Sequence, residues 1–597
     1  MKKIKSDNQN FIIWFYSMNK IIKKFLPYIY LFILTIIILN LFLGYFFIDL
    51  SVPIKFGGDA LSVYSGAKGI FTNQFLPFQI PKNSFLGAPG ISILADYPQF
   101  DVNLYYIFIK FISFFCSDFI KGVHIYYLLT YVFITFTSYY VFRYFKINSL
   151  IAGSCSLLFS FSSYHVLRGV NHILYSSYYM IPLMILTVFW IWSKKPLFFV
   201  KHDNKWLLDI KNKKAVITCF VLALGAMSVI YYEYFYLYFI VIATISSYFY
   251  RKNIYTVFSS LIMIFFNLIV LFLNAIPYIM YRIQHGVNSE AIVRNFIAAE
   301  NYGLKIVQML LPVDNHFLFA SFKEQYNLGK FLINENTSAS LGILGVIGFI
   351  SILFYFLFIR KLNLNLYSKS GVLVFSALLL GTVGSFSSFI SFTFCPFMRS
   401  YNRISIFILF ISLLVFAVLF QMLFRHFIKN HRFLFFIFIM FITLLGIRDM
   451  IPTDASLLIN YNSNKEYYSQ LKVFIKNIES VNPDGAMIFQ LPYIVYPESG
   501  GTVDLEDYEY LKPYLVSDKL RWSYGAMKGR DVDMWFRSLN GKDFAVIFKE
   551  IKKAGFSGVL VSKKAFRKEY RSSLSIILNN YLSKPLFEND EYIYYKL

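Results

Sequence analysis

The stretch LPYIYLFILTIIILNLFLGYFFIDL, Leu26–Leu50, decides what kind of protein this is. At roughly 1.5 Å per residue, a helix of this length crosses the apolar core of a bilayer. It follows the basic, polar start MKKIKSDNQN and then Lys20, Lys23 and Lys24. No small-residue cleavage site follows it, so it reads as an uncleaved anchor that begins on the cytoplasmic side. The rest of the chain agrees. Of 597 residues, 57% are apolar and only 15% charged, and the mean hydropathy is +0.54. A soluble domain is about half apolar and about a quarter charged. This composition excludes a cytosolic enzyme, a disordered chain and a disulfide scaffold, and leaves a polytopic membrane protein.

Working outward, further apolar runs lie near 123–142, 149–165, 173–193, 215–232, 234–250, 255–281, 339–359, 371–391, 404–424 and 433–450, which makes about eleven spans. With the N-terminus inside, the inner junctions are Arg143/Lys146, the 194–214 loop, Arg251/Lys252, Arg360/Lys361/Lys369 and Arg425/Lys429/Arg432. All are basic, as cytoplasmic loops are. The net charge of +24 is therefore read as topology and not as nucleic-acid binding. The fit requires that 103–119 does not cross; it is short, carries Lys110 at its middle, and is expected to lie on the outer membrane surface. Cys116, Cys155, Cys219 and Cys395 are scattered through apolar segments without metal-site or redox spacing.

Two outer loops follow from this topology, about 51–122 and 282–338, together with a tail, 452–597, long enough for a small extracytoplasmic α/β domain behind a transmembrane domain at 1–451. In the tail, AMIFQLPYIVY reads as a buried strand, DFAVIFKEIKKAG as a helix with a glycine stop, FSGVLVSKKAF as a second strand and EYIYYKL as a third.

Polar groups at the outer membrane edge are the candidates for chemistry. FGGDALSVY holds Asp59, and the loop continues to Asp96 and Asp101 in FLGAPGISILADYPQFDVN. A carboxylate just beyond the first span suits a general base for an acceptor hydroxyl; a helix cap or turn is the plainer role. SSYHVLRGVNHILYSSYY brings His165, Arg168 and His172 to the same edge. The two histidines with a carboxylate would suit a metal, and interfacial snorkelling is the plainer role. Glu233 sits in YYEYFY between two apolar runs. In CPFMRSYNRISIF, Arg399 and Arg403 lie four apart at a span's outer start. Two guanidiniums on one helical side suit a phosphate.

With GGDAL, ADYPQFD, PFMRSYNRISIF, FQLPYIVYPESGG and RWSYGAMKGR, the chain resembles the GT-C superfamily of membrane glycosyltransferases. More narrowly, it resembles the YfhO-like bacterial membrane proteins. The resemblance implies a GT-C-like helical bundle in the bacterial inner membrane. It implies sugar transfer from a polyprenyl-phosphate-linked donor to an envelope glycan or lipid on the extracytoplasmic face. Asp59 would be the base, Asp96 and Asp101 would position the acceptor or a metal, and Arg399 and Arg403 would hold the phosphate. His165, Arg168, His172 and Glu233 are further candidates for substrate contact, and Tyr524, Lys528 and Arg530 for contact with the acceptor. Ala60 follows Asp59 where many GT-C enzymes carry a second acid, so metal dependence stays open. Two other functions stand beside this one: a flippase for lipid-linked sugars and a non-catalytic scaffold for envelope assembly. The nearly uncharged mid-span segments weigh against transport.

Overall fold

The structure is a computed structural model that describes residues 25–597, apart from 98, 204, 329–333, 359–364 and 572. The basic N-terminal flank and the Arg360/Lys361 junction lie outside the described residues.

The chain is a multi-pass helical membrane protein with a sheet in its tail. Among the described residues, six helices are long and apolar enough to cross a membrane: Phe25–Leu43, Phe119–Tyr144, Ser149–Arg168, Ile254–His285, Tyr401–Leu423 and Arg432–Met450. Ile181–Ile191, Gly342–Phe358 and Leu366–Gly381 are apolar but shorter. The expected count of about eleven uniform spans is not confirmed by these helices. The run at 173–193 divides into Ile173–Ser176 and Ile181–Ile191. The run at 371–391 ends at Gly381 and resumes as Phe386–Thr393. Helix Asn103–Ser113, within the segment read as non-crossing, has 11 residues. That is roughly 16 Å of helix, too short for a bilayer core.

Close helix approach builds the bundle. Helix Gly342–Phe358 packs along Ser405–Leu423, and a Cβ on Gly348 would collide with the Ser412 carbonyl oxygen. Only a residue without a side chain allows that contact.

The tail carries a five-stranded sheet in the order Arg521–Trp522, Met487–Leu491, Phe556–Ser562, Tyr592–Lys596, Phe587–Glu588. Met487–Leu491 runs parallel to Phe556–Ser562, and Tyr592–Lys596 pairs antiparallel beyond it. The helix Phe544–Lys553 precedes Gly555, whose φ of 93° turns the chain back into the central strand. The apolar runs read from the sequence thus become the sheet's interior, buried on both faces.

This sheet is stitched to the first loop. Trp522 N–H donates to Phe85 O at 2.8 Å and Gly87 N–H to Tyr524 O at 2.9 Å, so residues 85–88 extend the edge of the sheet. The buried Lys68 ammonium donates to Tyr514 O at 2.7 Å and Ser517 O at 2.5 Å, capping the short helix Lys512–Val516. Burial lowers this amine to about 8, against the pull of Asp518 and Glu479.

Candidate functional site

The first loop, the 171–175 turn, the 282–338 segment, the 399–403 turn and the tail converge on one two-lobed cavity. One lobe has a volume of about 600 Å³ and the other about 680 Å³. Tyr97, Arg294, Arg399, Arg403 and Glu498 line both.

Asp59 opens the helix Asp59–Phe71, behind Gly58 at φ 55°. Residues with side chains rarely adopt that angle, which accounts for a glycine there. Asn171 Oδ1 accepts the Ala60 N–H at 3.0 Å, pinning the 171–175 turn to the start of this helix. The pinning sets His172 Nε2 3.2 Å from Asp59 Oδ2. Both line the second lobe, with Lys528 of the tail.

The arginines line the same lobe. Arg399 lies over the Tyr302 ring at 5.3 Å, with no ion-pair partner among the described residues. Arg403 lies against the rings of Tyr175 and Tyr231, at 3.5 and 4.4 Å. Its Nε and Nη2 donate to Glu335 at 3.2–3.3 Å. Arg168 Nη1 reaches the same carboxylate at 2.7 Å. Burial alone would raise the Glu335 carboxyl, but the Arg403 and Arg168 guanidiniums overcome it and hold the group well below the usual range. Glu498 reaches in from the tail, accepting from Arg294 at 2.7 Å and Tyr97 Oη at 3.0 Å. Burial again opposes ionisation, and Arg294 with Tyr97 keeps the Glu498 carboxyl below its ordinary value.

Of the residues singled out from the sequence, Asp59, His172, Arg399, Arg403 and Lys528 meet in the second lobe. Asp101 lines the first. Its Oδ2 accepts the Ile230 N–H at 3.0 Å and caps the helix Ile230–Arg251. Burial pushes its carboxyl up to about 6, with that N–H pulling the other way. Arg168 stands one residue behind the wall, through Glu335.

The others lie elsewhere. His165 is a core residue, stacked on Tyr131 at 3.8 Å and bonded to Ser160 O and Thr130 Oγ1. It does not join His172, because the helix Ser163–Arg168 ends at Gly169 (φ 52°) and the chain turns between them. Glu233 is buried beneath Gly225 and bonded to Asn267, inside the bundle. Asp96 and Arg530 form a bidentate pair at 2.6 and 2.8 Å, joined by Asn288. Burial would raise Asp96, and Arg530 and Asn288 lower it. Arg530 also donates to His285 O and Gly286 O, capping the helix Ile254–His285. This pair fastens the tail to the bundle and contacts neither lobe. Tyr524 is packed against Tyr496 within the tail. Among the described residues no three His, Cys, Asp or Glu side chains gather to hold a metal ion. Asp59 and His172 would offer two ligands where a catalytic zinc takes about three from the protein.

The sequence reading passed over Glu335, Arg294, Glu498 and Tyr97. Glu498 stands in the YPESGG stretch already quoted for its resemblance. Glu335 sits in the polar run NENTSAS, where an acid carries no distinguishing signal.

No protein-family model matches the sequence, and no curated protein matches it. Among solved structures the chain is similar to the archaeal oligosaccharyltransferase AglB from Archaeoglobus fulgidus, in complex with an inhibitory peptide and a dolichol-phosphate. That likeness has 12% identity and a TM-score of 0.46 over 91% of this chain and 70% of that one. It is also similar to ArnT from Cupriavidus metallidurans bound to undecaprenyl phosphate, with 9% identity and a TM-score of 0.47 over 92% and 95%. The Archaeoglobus fulgidus oligosaccharyltransferase in complex with Zn and sulfate matches at 14% identity and a TM-score of 0.45, over 90% and 68%. At these scores the likeness decides nothing about activity, which has to be read from the cavity.

Proposed function

We propose that the chain is a GT-C-type glycosyltransferase. In this reading it moves a sugar from a polyprenyl-phosphate-linked donor to a cell-envelope glycan or lipid, at the extracytoplasmic face of a bacterial inner membrane. One observation carries the reading: the Asp59–His172 pair lines a single lobe together with Arg399, Arg403 and Lys528. The two kinds of group suit the two halves of a glycosyl transfer.

The acceptor hydroxyl gives its proton to the Asp59–His172 pair as its oxygen bonds to the anomeric carbon. The bond from that carbon to the phosphate oxygen breaks, and its electron pair leaves on the phosphate. Arg399 and Arg403 stabilise the charge that develops there. Glu498 and Asp507 of the tail border the same lobe and offer carboxylates to acceptor hydroxyls. The outward orientation rests on the basic loops, such as 194–214, which the positive-inside rule assigns to the cytoplasm.

Deleting the protein from the cell that makes it tests this. Mass spectrometry of the envelope should show one sugar missing, with a polyprenyl-phosphate-linked form of that sugar accumulated in the membranes. An envelope and a lipid pool unchanged by the deletion would contradict the reading.

A further inference from the structure

The arginine wall contains a charge arrangement that phosphate binding alone does not explain. Arg168, Glu335 and Arg403 form a triad with two buried positive charges and one partly exposed negative charge. Arg403 is 4% exposed and Arg168 2%. Such burial is costly unless each charge is met. Glu335 meets only part of the demand. Among the described residues, the buried Arg403 Nη1, Arg168 Nε and Arg168 Nη2 have no hydrogen-bond partner. Meanwhile the orientation of Arg403 is fixed on three sides. Glu335 holds its Nε and Nη2, and the rings of Tyr175 and Tyr231, themselves nearly perpendicular, lie against it at 3.5 and 4.4 Å. The only edge of the guanidinium left over is the one bearing Nη1, on a residue that lines both lobes.

We propose that Glu335 is a positioning residue that aims Arg403 Nη1 at a phosphate monoester, the anion that completes the triad. This rests on the donor chemistry proposed above. Two roles for Glu335 predict opposite signs. If it were only a resident counter-ion, it would compete with the phosphate, and its removal would tighten phosphate binding. As a positioner, its removal frees the guanidinium to turn, and phosphate binding weakens. The stacked, forked geometry also makes lysine a poor replacement at 403.

The test is titration of the purified full-length protein in nanodiscs with undecaprenyl phosphate and, separately, with the neutral alcohol undecaprenol. The wild type should bind the phosphate more tightly than the alcohol. Glu335→Gln should weaken phosphate binding by about ten-fold or more, the scale of a charge-assisted hydrogen bond, and leave alcohol binding unchanged. Glu335→Asp should recover part of the loss, and Tyr231→Ala, which removes one stacking wall, should act in the same direction as Glu335→Gln. Phosphate binding that is tighter or unchanged in Glu335→Gln overturns the positioning role while leaving the donor chemistry intact. A wild type that does not distinguish phosphate from alcohol overturns both.

Discussion

His172 Nε2 stands 3.2 Å from Asp59 Oδ2, and the bond from Asn171 to the Ala60 N–H holds the two segments in that register. The pair joins the first loop to a turn more than a hundred residues further on. If it accepts the acceptor's proton, Asp59→Asn and His172→Gln should each lower the transfer rate by about 100-fold or more, the usual worth of a general base. Membrane expression should stay normal, since both side chains are partly exposed. Rates from sugar incorporation into spheroplasts, with protein levels matched by immunoblot, check this.

Arg399 and Arg403 differ in how they are held, and their variants should differ too. Arg399→Ala removes a guanidinium with no ion-pair partner among the described residues, so it should weaken donor use with little effect on folding. Arg403→Ala leaves Glu335 paired with Arg168 alone, so it should lower both transfer and thermal stability. Donor-dependent kinetics beside thermal unfolding of each purified variant separates the two.

The Asp96–Arg530 pair is expected to matter for stability and not for chemistry. Arg530→Ala leaves the Asp96 carboxylate, 1% exposed, without its counter-charge and should cost about 3 kcal/mol. The double variant Asp96→Asn/Arg530→Ala should cost less than Arg530→Ala alone. Thermal unfolding of the three proteins decides it. A double variant less stable than the single one would count against the clamp.

Asp101 gives a pH dependence with a definite sign. Burial raises its carboxyl from 3.8 to about 6. The folded protein therefore holds this proton more tightly than the unfolded chain. Stability from this group is full below about pH 4 and is lost as pH rises through about 6. Asp101→Asn keeps an acceptor for the Ile230 N–H and removes the buried charge. It should raise the unfolding temperature at pH 8 and have little effect at pH 4.5. A variant that destabilises equally at both would show that the carboxylate is well solvated.

What the sequence disclosed follows from what periodicity and charge can encode. Apolar runs marked the helices, because a bilayer demands long apolar stretches. They did not mark the breaks at 177–180 and 382–385, where the residues stay apolar or small. Asp59, Arg399 and Arg403 stood out as charges at the ends of apolar runs. His165 and His172 look equivalent by spacing, seven apart and two turns along a helix. Gly169 ends the helix between them, so one becomes core and the other cavity wall. Asp96 and Asp101 are alike in sequence, yet Arg530 claims the first and the Ile230 amide the second. Those partners come from 434 and 129 residues away, a separation no local pattern reports. Glu335 was hidden for the same reason, since its significance lies wholly in Arg168 and Arg403.

Transfer at a site shared by Asp59 and the arginine wall is tested by the envelope glycan composition of cells whose only copy of the protein is Asp59→Asn or Arg403→Ala, read by mass spectrometry at matched membrane expression. The same sugar should be lost in both variants as in the deletion. A normal glycan in both, with that sugar absent from the deletion, would contradict transfer at this site.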